Sequence, residues 1–210
     1  MSQLGRDELE RVLEESDLGQ RLVVTPLLDR RQVGRGSIDL RLGTEFLLLR
    51  RTSRAGLRPG YDPQPVIDAM QERVIVPVGD DLWLHPRHFM LAATLEYLGL
   101  PDYLSASVVG RSSWGRLGLI VATAVFVHPG FRGCLTLELI NEGDSPIRLS
   151  PGIPIAQLVV QRLGESVLAR GQEQEKYEAP VRPQPSRLAS ERRDFDALEN
   201  LGQRLRSRLG

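Results

Sequence analysis

The chain has a single cysteine, Cys134, in 210 residues. An internal disulfide is excluded, and a reducing compartment suits the sequence. Lysine is equally scarce. Lys176 stands alone among 27 basic residues, so positive charge is presented almost wholly as guanidinium. Neither sign is in excess, because 27 acidic residues balance the basic ones. A general electrostatic pull toward nucleic acid or an anionic membrane is not expected, and any cationic site has to be local. Aromatic residues make up only 5% of the chain. No run approaches the roughly eighteen apolar residues of a membrane span, and Met1 to Glu8 carry no apolar signal segment. These absences lead to the expectation of a cytoplasmic protein with no nucleic-acid or membrane partner. With 41% hydrophobic residues, the chain can still bury the core of one good-sized domain.

The apolar residues come in short runs separated by Gly and Pro turns. Asp7 to Glu15 reads as a short amphipathic helix, with Leu9, Val12 and Leu13 on one face. Strands are expected at Arg21 to Leu28, broken by Pro26, then at Ser37 to Leu42, Phe46 to Leu49, Val74 to Val78, Leu82 to Leu84 and Phe89 to Leu95. Further apolar runs lie at Leu98 to Val109, interrupted by Pro101-Asp102, and at Leu119 to Val127, Cys134 to Ile140, Ile147 to Leu149 and Ile155 to Val160. Arg50 to Pro65 lacks periodicity and is expected to be an exposed loop. The pattern implies an all-β barrel or sandwich over 1–170. A tail over 171–210 follows, polar and Pro-rich at first and partly mobile, with leucines spaced for a final helix over Phe195 to Leu209.

One stretch breaks the strand pattern. Gly110-Arg111-Ser112-Ser113-Trp114-Gly115-Arg116-Leu117-Gly118-Leu119 sets two arginines, two serines and three glycines between apolar runs. Guanidinium forks, hydroxyls and free backbone N–H groups suit an oxyanion cluster such as a polyphosphate. The competing explanation is a surface loop whose arginines pair with carboxylates, and no P-loop signature is present. In Leu135-Thr136-Leu137-Glu138-Leu139, alternation puts Glu138 on the face opposite the leucines. That face is either solvent, or a crevice in which a carboxyl with a raised pKa works as acid or base. Asp39, between apolar neighbours, calls for a partner. His85, His88, His128 and Cys134 form none of the compact zinc signatures, so no metal site is expected.

The same insert, with Thr123-Ala124, Pro129-Gly130-Phe131-Arg132-Gly133, Leu135 to Leu139 and Asn141, resembles the dCTP deaminase family, within the wider trimeric dUTPase superfamily. Ser37 to Gly43, Leu84-His85-Pro86, Leu91 to Glu96, Pro151-Gly152, Ile155 to Leu158, Lys176-Tyr177 and Ser186-Arg187 extend the likeness over most of the chain. The resemblance implies a dUTPase-like fold: a distorted, jelly-roll-like β-barrel with a short N-terminal helix and an extended C-terminal tail. It implies a homotrimer with active sites between subunits and zinc-independent deamination of dCTP to dUTP and ammonia. Glu138 matches the catalytic carboxylate, and Ser112 and Arg116 match residues that organise the deamination site. Arg111, Ser113 and Gln157 match positions at the phosphates. Thr123 and Ala124 match the turn that frames the base. Lys176 and Tyr177 match a tail that closes over the nucleotide, and Mg2+ accompanies the triphosphate. Some members also hydrolyse dUTP to dUMP, so a bifunctional or dUTPase-like enzyme is one alternative, and a non-catalytic nucleotide-binding trimer is another. His128 stands where the family usually carries an Asp that contacts the deoxyribose. An imidazole is not a dependable anion, so hydrolysis of dUTP is not expected. Glu178-Ala179-Pro180 replaces the usual glycine-glutamine pair, with Gln184 as its candidate substitute.

Overall fold

The computed structural model describes residues 2–50, 56–58, 60–122, 126–164, 179–192, 196, 197, 199–201, 203 and 206, with backbone only at 188 and 191. They fall into two compact units, Met1–Leu48 with Arg73–Gln184, and Leu49–Glu72 with Pro185–Gly210.

The larger unit is a ten-stranded sheet. Helix α1 (Arg6–Leu13) lies at its start and forms as the sequence predicts, with Leu9 and Val12 buried and Asp7 and Glu8 in the first turn, where free N–H groups favour negative charge. The strands are β1 (Ser2–Gln3), β2 (Val23–Thr25), β3 (Ile38–Leu49), β4 (Gln71–Ile75), β6 (Phe89–Gly99), β7 (Leu104–Gly110), β8 (Leu119–Val121), β9 (Phe126–Val127), β10 (Arg132–Asn141) and β12 (Pro154–Arg162). Their order is β8-β10-β6-β3-β12-β7-β9, with β1 on β12, β2 on β6 and β4 on β3. Strands β5 (Leu82–Leu84) and β11 (Ile147–Leu149) make a separate antiparallel ribbon.

Strand β3 changes partner along its length. Its residues 38–41 pair with β12, and its residues 42–48 pair with β6 after a register shift. The sheet thereby curls on itself, so that the end of β7 comes back against β8, and a Cβ added at Gly110 would sit 3.3 Å from that of Val121. This is the distorted all-β barrel that the strand pattern implies. The interior is a single apolar cluster. Phe46, Ala92 and Leu137 lie on neighbouring strands β3, β6 and β10, opposite one another and fully buried.

Several boundaries differ from expectation. The strand expected at Val74 begins at Gln71. Arg73 Nε donates to Glu45 on β3 at 2.9 Å, so charged residues sit on an exposed strand without cost to the core. The run Leu98 to Val109 is two strands separated at Pro101-Asp102. The run Leu119 to Val127 is also two, since β8 pairs with β10 while β9 pairs with β7. In the smaller unit, the loop expected over Arg50 to Pro65 runs into a short helix, α2 (Gln64–Asp68), with prolines at its start. There Tyr61 donates to Glu199 Oε2 at 2.8 Å and Gln64 Nε2 to Ser186 O at 2.9 Å. The described residues from 196 to 206 are helical.

Among the described residues, one carboxyl is enclosed in the larger unit. Glu96 is fully buried on β6. Its Oε1 accepts Gln32 Nε2–H at 2.7 Å and its Oε2 accepts the Arg41 N–H at 2.8 Å. Burial raises its carboxyl above the usual range, and these two donors pull it part of the way back. Glu96→Leu strands the Arg41 N–H and should cost about 1–3 kcal/mol. The check is a lower urea midpoint at unchanged slope.

Candidate active site

The Arg/Ser insert is a tight corner built on one helical turn. Arg111 ends the extended backbone of β7, its C=O accepts the N–H groups of Trp114 and Gly115, and α3 (Ser112–Gly115) follows. The turn is too short to be held by its own hydrogen bonds. It is pinned at its middle by Trp114, whose indole Nε1–H donates to Pro154 O at 2.9 Å while its ring packs on the core. It is pinned at its end by Gly118, which has φ +91° and whose C=O accepts Glu142 N–H at 2.8 Å. A Cβ at Gly118 would lie 2.5 Å from Gly143 N. The receiving turn is itself fixed by the buried side chain of Asn141, which donates to Leu84 O and Ser145 O and accepts from Gly143 N–H. The chain thus leaves the corner straight into β8. Ser112, Ser113 and Arg116 are exposed at this corner and have no side-chain partner among the described residues.

Glu138 is on β10, next to β8, and Ala122 N–H donates to its backbone C=O at 2.8 Å. Leu135, Leu137 and Leu139 face the core, while Thr136, Glu138 and Ile140 are half-exposed on the other face. Opposite Glu138 on β6 is Leu91, and opposite Leu91 on β3 is Leu47. With apolar neighbours and no side-chain partner among the described residues, the carboxyl is raised above the ordinary glutamate range by burial. Glu138 therefore holds a proton more readily than a surface glutamate.

The structure brings two candidate residues together on a third that the sequence had only marked as needing a partner. Asp39 on β3 lies opposite Gln157 on β12. Gln157 Nε2 donates to Asp39 Oδ1 at 2.9 Å, and Arg111 Nη1 stands 3.5 Å from Asp39 Oδ2. The sequence signal for Asp39 was its place between Ile38 and Leu40. Within one chain no contact joins Glu138 to Ser112 or Arg116 among the described residues. His128 is exposed and meets Phe126 edge to face at 4.9 Å. Cys134 is buried and unpaired, and burial raises its thiol, with the nearby Glu96 charge adding to the effect. Thr123, Ala124, Lys176 and Tyr177 lie outside the described residues. Beyond them, Pro180 O accepts Cys134 N–H, and Gln184 N–H donates to Thr136 Oγ1 at 3.0 Å. Pro180 and Gln184 therefore lie along the strand that carries Glu138. Among the described residues, no three His, Cys, Asp or Glu gather closely enough to hold a metal ion, and no helix is long and apolar enough to cross a membrane.

Comparison with known proteins bears on this arrangement. Residues 3–163 match the dCTP deaminase-like family. The chain belongs to that family. A relative named dCTP deaminase, dUMP-forming, from Methanobrevibacter smithii is 36% identical over 192 residues, covering 90% of this chain and 96% of its own. One named dCTP deaminase from Halorubrum lacusprofundi is 40% identical over 201 residues, covering 90% and 96%. The solved 2'-deoxycytidine 5'-triphosphate deaminase from Agrobacterium tumefaciens superposes with a TM-score of 0.58 at 26% identity over 77% of this chain, which spans 46% of that longer one. The stretches whose sequence resembles the family lie, among other places, at the corner at α3, on β10 and on the β3–β12 pair.

Gly118→Ala combines a left-handed backbone with a backbone clash. It is expected to cost about 1–3 kcal/mol or more, read as a lower melting temperature. The same variant should lose nucleotide affinity, because the seat of α3 is displaced.

Proposed function

We propose that the protein catalyses the zinc-independent hydrolytic deamination of dCTP to dUTP and ammonia. The observation that carries this reading is Glu138: a half-buried carboxyl with a raised proton affinity, without a side-chain partner among the described residues, on the strand beside the one that leads out of the Arg/Ser corner. Family membership and the names of the relatives support it.

The chemistry follows from these groups. Replacing the cytosine amine requires a water at C4. Glu138 takes the water proton as the C4–O bond forms. That proton passes to N3, the second proton of the water is carried to the departing amine, and the C4–N bond breaks as C4=O forms, so that ammonia leaves. Ser112 and Arg116 orient the water and the carboxylate. The turn at Thr123 and Ala124 frames the base. Arg111, Ser113 and Gln157 hold phosphate oxygens, and Lys176 and Tyr177 close over them and exclude bulk water. Mg2+ enters as part of the triphosphate substrate, with phosphate oxygens and water as its ligands.

The active assembly is a homotrimer with sites between subunits. Support comes from the exposed apolar side chains Val109, Leu117, Ile120 and Phe126, 41–62% exposed around the corner and the ends of β7 and β8. It also comes from the absence of any contact from Glu138 to Ser112 or Arg116 among the described residues of one chain. A cytoplasmic setting agrees with the lone cysteine and a nucleotide substrate.

A second reading, further hydrolysis of dUTP to dUMP, is favoured by the name of the Methanobrevibacter relative. His128 opposes it, since the exposed imidazole supplies no fixed anion to activate a water at phosphorus.

Protein supplied with dCTP and Mg2+ should release ammonia and accumulate dUTP, with little pyrophosphate. Absence of turnover of either nucleotide would remove the enzyme reading. Glu138→Gln should lower kcat by about 10²-fold or more while binding persists. Because the base is the ionised carboxylate and its pKa is raised, activity should fall as pH drops, with a midpoint above the ordinary glutamate value of about 4.3.

A further inference from the structure

We propose that Asp39 is the positioning residue of the phosphate end of the site, its one carboxylate ordering Arg111 and Gln157 before the nucleotide arrives. The proposal rests on the assignment of those two residues to the phosphates.

The two oxygens of Asp39 are divided between them. Oδ1 accepts the Gln157 amide at 2.9 Å, and Oδ2 faces the Arg111 guanidinium at 3.5 Å. Neither Arg111 nor Gln157 has another side-chain partner among the described residues. A single carboxylate therefore restrains two rotamer-rich side chains that come from different elements, β12 and the start of the α3 corner. Sheet register produces the meeting. Asp39 is opposite Gln157, and Gln157 is opposite Val109, two residues before Arg111.

The carboxylate is held from behind as well. Asp39 C=O accepts Gln32 Nε2–H at 2.8 Å, and the same nitrogen donates to the buried Glu96. Two residues along, Arg41 N–H ends on the other Glu96 oxygen. The backbone on which Asp39 stands is thereby tied to a group that solvent does not reach.

The arrangement leaves donors for a ligand. Arg111 turns Nη1 toward Asp39 at ion-pair distance and keeps its donor fork for phosphate oxygens. Gln157, with one amide hydrogen on Asp39, keeps its second amide hydrogen for an acceptor. A carboxylate beside an anion site would otherwise repel the ligand. Its presence is accounted for by orientation, since its charge is already matched by Arg111.

The test measures binding of inorganic tripolyphosphate and of dCTP by calorimetry, with thermal melts to confirm folding. Asp39→Asn retains an acceptor for Gln157 and loses the ion pair. It should weaken tripolyphosphate binding about five- to tenfold while kcat at saturating dCTP stays within about twofold. In an Arg111→Ala, Gln157→Ala background the same change should have no further effect on affinity. Unchanged or tighter binding by Asp39→Asn overturns the proposal, and so does an equal loss in both backgrounds, which would mark a general structural effect. The two readings separate in the results. If dCTP is deaminated and the cycle is additive, Asp39 loses this role and the deaminase stands. If the cycle is non-additive and dCTP is not turned over, Asp39 keeps its role and the deaminase falls. If the wild-type protein binds no tripolyphosphate, the phosphate assignment and this proposal fall together.

Discussion

A slip of one residue between β10 and β6 would turn Glu138 into the core and put Leu137 in water. What prevents it is the row of Phe46, Ala92 and Leu137, fully buried and facing across three strands. Burying a leucine or phenylalanine side chain is worth about 1.5–3 kcal/mol, and a slip would lose several such contacts at once. The polar face of β10 is thus set by the apolar one. The raised proton affinity of Glu138 follows at the next step, because the same register places Leu91 opposite it and burial there raises its carboxyl.

The second constraint is polar and works at the other end of β3. This strand leaves β12 for β6, and such a change of partner leaves backbone groups with nowhere to donate. Glu96 collects one of them, the Arg41 N–H, and Gln32 bridges from Glu96 to Asp39 C=O. Thr94 serves the neighbouring irregularity in β10 in a similar way. Its hydroxyl donates to Glu96 C=O and accepts the Leu135 N–H where the register shifts. Buried polar groups here are the cost of curling one sheet into a barrel, and they coincide with the blocks that resemble the family.

How much of this was legible in the sequence depended on whether the signal was local. The alternation around Glu138 was legible, because a strand with one buried face writes its period directly into the chain. So was the helix at Asp7 to Glu15. The corner at Arg111 to Gly118 was visible as a polar interruption, but its single helical turn was not, since four residues carry no period and the turn is held by Trp114 and Gly118 reaching distant backbone. The partners of Asp39 were out of reach for the same reason. Gln157 is 118 positions away, and only the register of β3 on β12 brings them together. The division of Leu119 to Val127 between two neighbours was hidden too, because apolar character does not say which strand lies alongside. The resemblance to the family supplied the roles of the residues but not the contacts among them.

The way the corner is anchored also gives the protein an optical handle. There are only two tryptophans. Trp83, on the two-stranded ribbon, is 55% exposed, whereas Trp114 is partly enclosed against the core with its indole nitrogen on Pro154 O. Their emission therefore separates by wavelength, the solvent-facing ring to the red and the enclosed one to the blue. The blue component reports, without any added dye, whether the turn that carries Arg111, Ser112 and Arg116 is seated.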